Sequence, residues 1–360
     1  MFLSKQDASK LIKIDYSDLI SNECNLSKSI QDAFGEDGLG LIVIKNTAIS
    51  ELRNKILTQG YNLGHLDEDS LKKLEKPELN FNLGWGRGKS YVENQWEYLT
   101  GSFYARTLSE NLQYPSDPEM EKKYTNIWPD EDKLPNFKQD FLAIGRLMYE
   151  VQINLLRHID KYLESIMPHF EEYMLSKTFT ENTDCLGRLI VYYPPSSMDE
   201  SIKKDVSKDN WCGWHRDFGL VTALTHALYF DEKGTITKGV KSGLLVKDRK
   251  GNINDIQFEE DEIAIQAGDV LYILTGGRII STPHAVKIKE GIPQDVYRVT
   301  YVNFFEPAYE YKIYTPEGIS ESDLFKNDPF NMQDTYTKYK QGCTYKELIF
   351  SALETYFPKK

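Results

Sequence analysis

The spacing of hydrophobic positions changes about midway along the chain. From Phe137 to Ile166 they recur every three or four residues: Phe141, Ile144, Met148, Val151, Leu155, Ile159, Tyr162 and Ile166 form one apolar stripe, which predicts a long amphipathic helix. Pro135 stands just before it and Pro168 just after, where proline is tolerated. Beyond Cys185 the period shortens. Short runs at 187–193, 219–228, 243–247, 262–266, 269–274, 282–287 and 297–305 alternate with turn signals and predict strands of an antiparallel sandwich or barrel. Upstream, 27–34 predicts a short helix opening on a Ser cap, 38–45 a buried strand, and Ser50 to about Gln59 another helix. Residues 66–135 hold no sustained period and read as loops and short helices laid over the core. Helix returns from Asp323, notably at 344–356. The expected fold is mainly β with flanking helices. A helical region (1–180) packs on a β-core (181–310), a helical extension (311–360) follows, and the whole forms one cooperative unit.

Composition is ordinary for a globular chain of 360 residues, with 40% hydrophobic and 27% charged positions. A net charge of −12 is unfavourable for phosphate backbones and anionic lipid, so nucleic-acid and membrane partners are not expected. Cys24, Cys185, Cys212 and Cys343 show no C-x-x-C spacing, which fits a reducing compartment better than a disulfide framework. The first twenty residues lack an apolar leader core, and no stretch approaches the ~20 apolar residues of a membrane span. The expected setting is cytoplasmic, with a small-molecule substrate and a monomer or weak oligomer.

The candidate chemistry lies in Trp211-Cys-Gly-Trp-His215-Arg-Asp217. Two residues apart on an extended segment, His215 and Asp217 project to one side. His284, 67 residues after Asp217 and at the start of another predicted strand, supplies a third donor. Two imidazoles and one carboxylate on one face of an octahedron are the donor set of non-haem Fe(II) oxygenases. H-x-D alone is common by chance, and His65, His158, His169 and His226 read as structural or solvated. The pair gains weight from Arg298 and Thr300, which share a strand face with Val296, Val302 and Phe304. A guanidinium among apolar neighbours needs an anion, either a structural Asp or Glu or the carboxylate of a ligand.

These motifs, with G-D-V-L at 268–271 and Gly276-Gly-Arg-Ile-Ile-Ser-Thr-Pro-His284-Ala-Val, resemble the isopenicillin N synthase-like branch of the 2-oxoglutarate/Fe(II)-dependent dioxygenases over residues 10–310. The resemblance implies a double-stranded β-helix (jelly-roll) core in which His215, Asp217 and His284 bind Fe(II). It also implies that 2-oxoglutarate and O2 are cosubstrates, with Arg298, Thr300 and Tyr193 (of Tyr192-Tyr193-Pro194) holding the far carboxylate. Thr300 stands where Ser is usual, the interval from His284 to Arg298 is long because of a turn insertion at 288–293, and Val191 replaces an Asn common among 2-oxoglutarate users. Two alternatives stay open: an oxidase of the same family whose Arg/Thr/Tyr clamp holds a substrate carboxylate, and a non-catalytic metal-binding β-helix.

Other segments invite function. Asn82–Ser90 ends in GKS, but Leu83 stands where a phosphate loop needs its first glycine. Arg87 and Lys89 could instead reach an acidic substrate, or simply form a surface turn. The polar insertion 195–210 reads as a lid or a solvated loop, and Trp211, Trp214 and Phe218 as pocket wall or core.

Overall fold

The computed structural model describes residues 10–92, 95–112, 118–167, 170–171, 174–197, 210–240, 243–288, 295–326, 328, 330 and 338–356. Strands in chain order are β1 (Ile12–Asp15), β2 (Leu41–Lys45), β3 (Gly84–Arg87), β4 (Tyr91–Val92), β5 (Gln95–Trp96), β6 (Thr100–Arg106), β7 (Thr183–Tyr192) and β8 (Asn210–His215). They continue with β9 (Val221–Thr225), β10 (Leu228–Phe230), β11 (Leu244–Lys247), β12 (Ile253–Asp255), β13 (Ile263–Ala267), β14 (His284–Lys287) and β15 (Tyr297–Pro307). One large sheet runs β1-β2-β13-β9-β15-β7-β6-β3, with β10 also on β15; the facing sheet runs β12-β11-β14-β8. Apart from the parallel β1–β2 pair, neighbours in these two sheets are antiparallel.

The alternation along β15 decides what each side of the large sheet does. Arg298, Thr300, Val302 and Phe304 face a cavity between the two sheets. Val299, Tyr301 and Phe305 are buried on the other face, under helices. Of these helices α1 (Tyr16–Ile20), α2 (Ser27–Phe34) and α3 (Ser50–Leu63) precede the core, and α4 (Glu68–Lys73) and α5 (Pro118–Lys123) lie further along. The long α6 (Phe137–Ile166) buries the predicted stripe from Phe141 to Tyr162, whereas Ile166 is exposed at its end. Gln152 fastens α6 to the sheet. Its side-chain amide donates to the carbonyls of Asn303 (2.8 Å) and Val221 (3.1 Å), and its carbonyl oxygen accepts from the Asn303 amide (2.8 Å). After α7 (Met174–Glu181), the remaining helices are α8 (Asp269–Leu274), α9 (Glu321–Lys326) and α10 (Tyr345–Tyr356).

Four expectations need correction. Asp269–Leu274, expected as a strand, is helix α8. All six of its residues are buried, and a short run that is apolar all round has no period by which helix and strand can be told apart. The strand expected at 219–228 breaks into β9 and β10, whose pairing with β15 slips by one residue across His226 and Ala227, as at a bulge. Helix α2 has Leu26, not a serine, at its N-cap; the Asn25 carboxamide accepts from the Ser27 N–H instead (3.0 Å). Finally, besides the expected strand β2, residues 1–180 supply β1 next to it at one edge of the large sheet and β6 and β3 at the other. The predicted lid at 195–210 and turn at 288–293 lie mostly outside the described residues, as does His169.

Candidate active site

Pairing of β8 with β14 places His215 directly opposite His284, their ring centroids 4.2 Å apart. Asp217 follows in the turn after β8. Its Oδ1 lies 3.8 Å from Nε2 of His215 and 3.8 Å from Nε2 of His284. One donor atom from each of the three residues lies within 4.8 Å of the others. Donors on a single ion with bonds of ~2.0–2.2 Å are roughly 3–4.3 Å apart, so the cluster fits one cation after small adjustment.

The ring orientations suit that role. Nδ1 of His215 faces the carbonyl of Gly213 (2.9 Å), which makes it the N–H and leaves Nε2 as the free lone pair. Burial, then the neighbouring His215, drives the His284 pKa down to about 4, against the opposing pull of Asp217. At neutral pH His284 is an uncharged imidazole.

The turn carrying Asp217 is fixed from outside. The Asp269 N–H donates to the Asp217 carbonyl (2.8 Å) and the Gly268 N–H to that of Leu220 (2.8 Å). A Cβ at position 268 would sit 2.2 Å from the carbonyl oxygen of Gly219, so only glycine permits this approach. Between His215 and Asp217, Arg216 points away into the protein, ion-paired with Asp269 (2.9 Å) and Asp328 (2.5 Å). Sequence reading missed this anchor, because neither aspartate is near Arg216 in the chain.

The cavity between the sheets, about 570 Å³, brings His215, Asp217 and His284 together with Arg298 and Thr300. Arg298 is buried, and its Nε and Nη1 have no hydrogen-bond partner among the described residues. Leaving such a group without an anion costs several kcal/mol, so the cavity is built for a carboxylate. The Thr300 hydroxyl donates to the Thr225 carbonyl (3.0 Å), and a carboxylate on Arg298 would compete for that proton.

Tyr193 is not in this group. Its hydroxyl donates to the Gly64 carbonyl (2.8 Å), and its ring is covered by Arg87, 3.5 Å from the centroid. Strand alternation gives the reason: Arg188, Ile190 and Tyr192 share the cavity face of β7, and it is Tyr192 whose ring lies 4.9 Å from the Arg298 guanidinium. Trp211 is core, its indole N–H bonded to the Tyr193 carbonyl (3.0 Å).

A second cavity of about 750 Å³ opens on the other side of His215 and Asp217. Phe218, Phe304, Leu186 and Val92 line it together with Ile349 and Leu353 from α10, and Arg188, Asn82, Ser90, Glu97 and Glu306 supply polar groups. Burial pushes the Glu306 carboxyl up to about 8, and the Asp184 and Asp217 carboxylates add to the rise.

No family model matches the chain. It is 26% identical over 276 residues to the 2-oxoglutarate-Fe(II) type oxidoreductase ppzD of Metarhizium rileyi, covering 73% of this chain and 71% of that one. It is 27% identical over 262 residues to the 2-oxoglutarate-dependent dioxygenase gloF of Glarea lozoyensis, covering 70% and 72%. Among solved structures it is similar to a full-length Neurospora crassa protein crystallised in complex with alpha-KG and thymine (TM-score 0.69, 19% identity, 97% of this chain and 98% of that). It is also similar to a 2OG-Fe(II) oxygenase family protein from Caulobacter crescentus (TM-score 0.68, 18% identity, 96% and 99%). The fold is that of these oxygenases: a double-stranded β-helix with flanking helices.

Proposed function

We infer that the chain is a non-haem Fe(II)- and 2-oxoglutarate-dependent oxygenase of a small organic molecule, placed in the isopenicillin N synthase-like branch by the order of its motifs. One observation carries the reading: a buried guanidinium with two unpartnered nitrogens shares a cavity with three converging metal donors. His215, Asp217 and His284 would together hold the ion. Two imidazoles with one carboxylate and open positions are the donor set suited to Fe(II). Arg298, braced by the ring of Tyr192, grips the far carboxylate of 2-oxoglutarate. Fe(II) bound at the three donors would supply, with 2-oxoglutarate and O2 as co-reactants, the oxidation of a substrate C–H bond, with succinate and carbon dioxide as the other products. The remaining task of the chain is to orient that bond and exclude water, which the apolar walls of the second cavity serve.

A cytoplasmic setting suits the four free cysteines. No helix among the described residues is long and apolar enough to cross a membrane.

The test is spectroscopic. Anaerobic addition of Fe(II) and 2-oxoglutarate should give the weak visible charge-transfer band of the chelate. His215→Ala should abolish it, and Arg298→Ala should weaken 2-oxoglutarate binding by about 10- to 100-fold. A wild-type protein that binds iron but shows neither the band nor succinate formation would rule the reading out.

A further inference from the structure

We propose that Arg188 anchors a carboxylate of the substrate, so that the second cavity selects small, mainly apolar carboxylic acids. The chemistry done to that acid rests on the oxygenase reading above; its binding does not.

Among the described residues, the buried guanidinium groups divide by what they face. Away from the cavities each has a carboxylate: Arg53 meets Glu260 (3.1 Å), Arg106 meets Asp184, and Arg216 meets Asp269 and Asp328. Arg298 has none, which is the mark of its ligand. Arg188, which is half-buried, is a further guanidinium that meets no carboxylate among the described residues. It lies on β7 opposite Val302 of β15 and lines both cavities beside the metal donors. Its Nε donates to the Ser102 hydroxyl (3.0 Å), and its guanidinium lies 5.2 Å from the centroid of the Tyr104 ring. These two contacts fix one edge of the fork. Among the described residues no carboxylate stands within ion-pair distance of it.

The acids that share the cavity do not fill this role. Glu97 accepts from the Ser90 hydroxyl (2.7 Å) and from the Gly213 N–H (3.1 Å), so both its oxygens are engaged. Glu306 lies on the same face of β15 as Val302, four residues further on, or roughly 13 Å along the strand. Half-buried, with its carboxyl pushed up to about 8 by desolvation, it repels an incoming anion less than an ordinary glutamate would at pH 7. The rest of the wall is apolar: Leu186, Phe218, Phe304, Ile349 and Leu353. A preorganised fork at one end of an apolar slot matches an acid with a hydrocarbon body, and places that body beside His215 and Asp217.

The probes are a panel of aliphatic, aryl and amino acids, each paired with its methyl ester. Binding is measured by calorimetry on the metal-free full-length chain, so no step depends on iron. At least one acid should bind tenfold or more tightly than its ester. That preference should be lost in Arg188→Met, be partly retained in Arg188→Lys, and persist in Arg298→Met. In parallel, Arg188→Met should change 2-oxoglutarate affinity, read from the chelate band, by less than about twofold. Esters binding as well as acids, no acid binding at all, or Arg188→Met impairing 2-oxoglutarate as strongly as Arg298→Met would each overturn the proposal. A wild type lacking the chelate band but binding acids through Arg188 would leave the proposal standing and remove the oxygenase reading.

Discussion

Tyr192 and Tyr193 are chemically the same and one position apart, yet they belong to different parts of the protein. The period of two along β7 sends Tyr192 to the cavity, against Arg298, and Tyr193 outward to Gly64 and Arg87. Tyr192→Leu should raise the KM for 2-oxoglutarate by about 2- to 30-fold, the equivalent of ~0.5–2 kcal/mol for a desolvated cation–π contact. Tyr193→Phe should leave that KM within about twofold and cost ~1 kcal/mol of stability through the lost hydroxyl bond. Steady-state kinetics and melting curves of the pair decide between them; the opposite ranking would return the clamp to Tyr193. Glu306 gives a pH signature. Its folded pKa of about 8 exceeds the ordinary 4.5, so the folded state holds the proton more tightly than the unfolded chain. Its contribution to stability is therefore complete below pH ~4.5 and is lost as pH rises towards 8. Melts of the metal-free protein between pH 5 and 9 should fall less steeply for Glu306→Gln than for wild type, and parallel curves would mean that the carboxyl ionises without penalty.

At the scale of elements, the ligand turn depends on pieces distant in sequence. Arg216 sits between two proposed ligands but is spent on Asp269 at the start of α8 and on Asp328 beyond α9. Arg216→Ala strands two buried carboxylates and should cost about 3–5 kcal/mol in chemical denaturation, with weaker iron binding because the turn is freed. Lys28→Ala breaks an exposed pair with Asp32 in α2 and should change stability by less than ~0.5 kcal/mol. Comparable losses in the two variants would show that the Arg216 network is as weak as a surface pair. The same scale shows where reading the chain runs out. Helix α6 was legible because one face is buried and the other wet, which imprints a period. Strands β3 and β6 were not: β6 is buried along nearly its whole length, its polar Thr100, Ser102 and Arg106 included, so it lacks the wet face that marks a half-exposed strand.

For the whole molecule, the sheet joins regions that look separate along the chain. β2 pairs with β13, and β6 pairs with β7, so strands from residues 1–180 close both sides of the β-core. The expected consequence is one calorimetric unfolding transition whose van't Hoff and calorimetric enthalpies agree; two resolved transitions would mean that the N-terminal strands fold apart from the core. The C-terminal helix is part of the same unit, because Ile349 and Leu353 form a wall of the second cavity.

The sequence by itself singled out the candidate site. His215, Asp217, His284 and Arg298 could be named from residue type and spacing, because ligand atoms and a lone cation among apolar neighbours carry their own demands. The β-core and the long helix followed from periods that burial on one face imprints. Only the tertiary structure decided which of two adjacent tyrosines meets Arg298, that Asp328 anchors the turn carrying Asp217, and that Arg188 lines both cavities with no carboxylate in ion-pair reach among the described residues. Those outcomes depend on register and on contacts between residues far apart in the chain, and local pattern does not encode them.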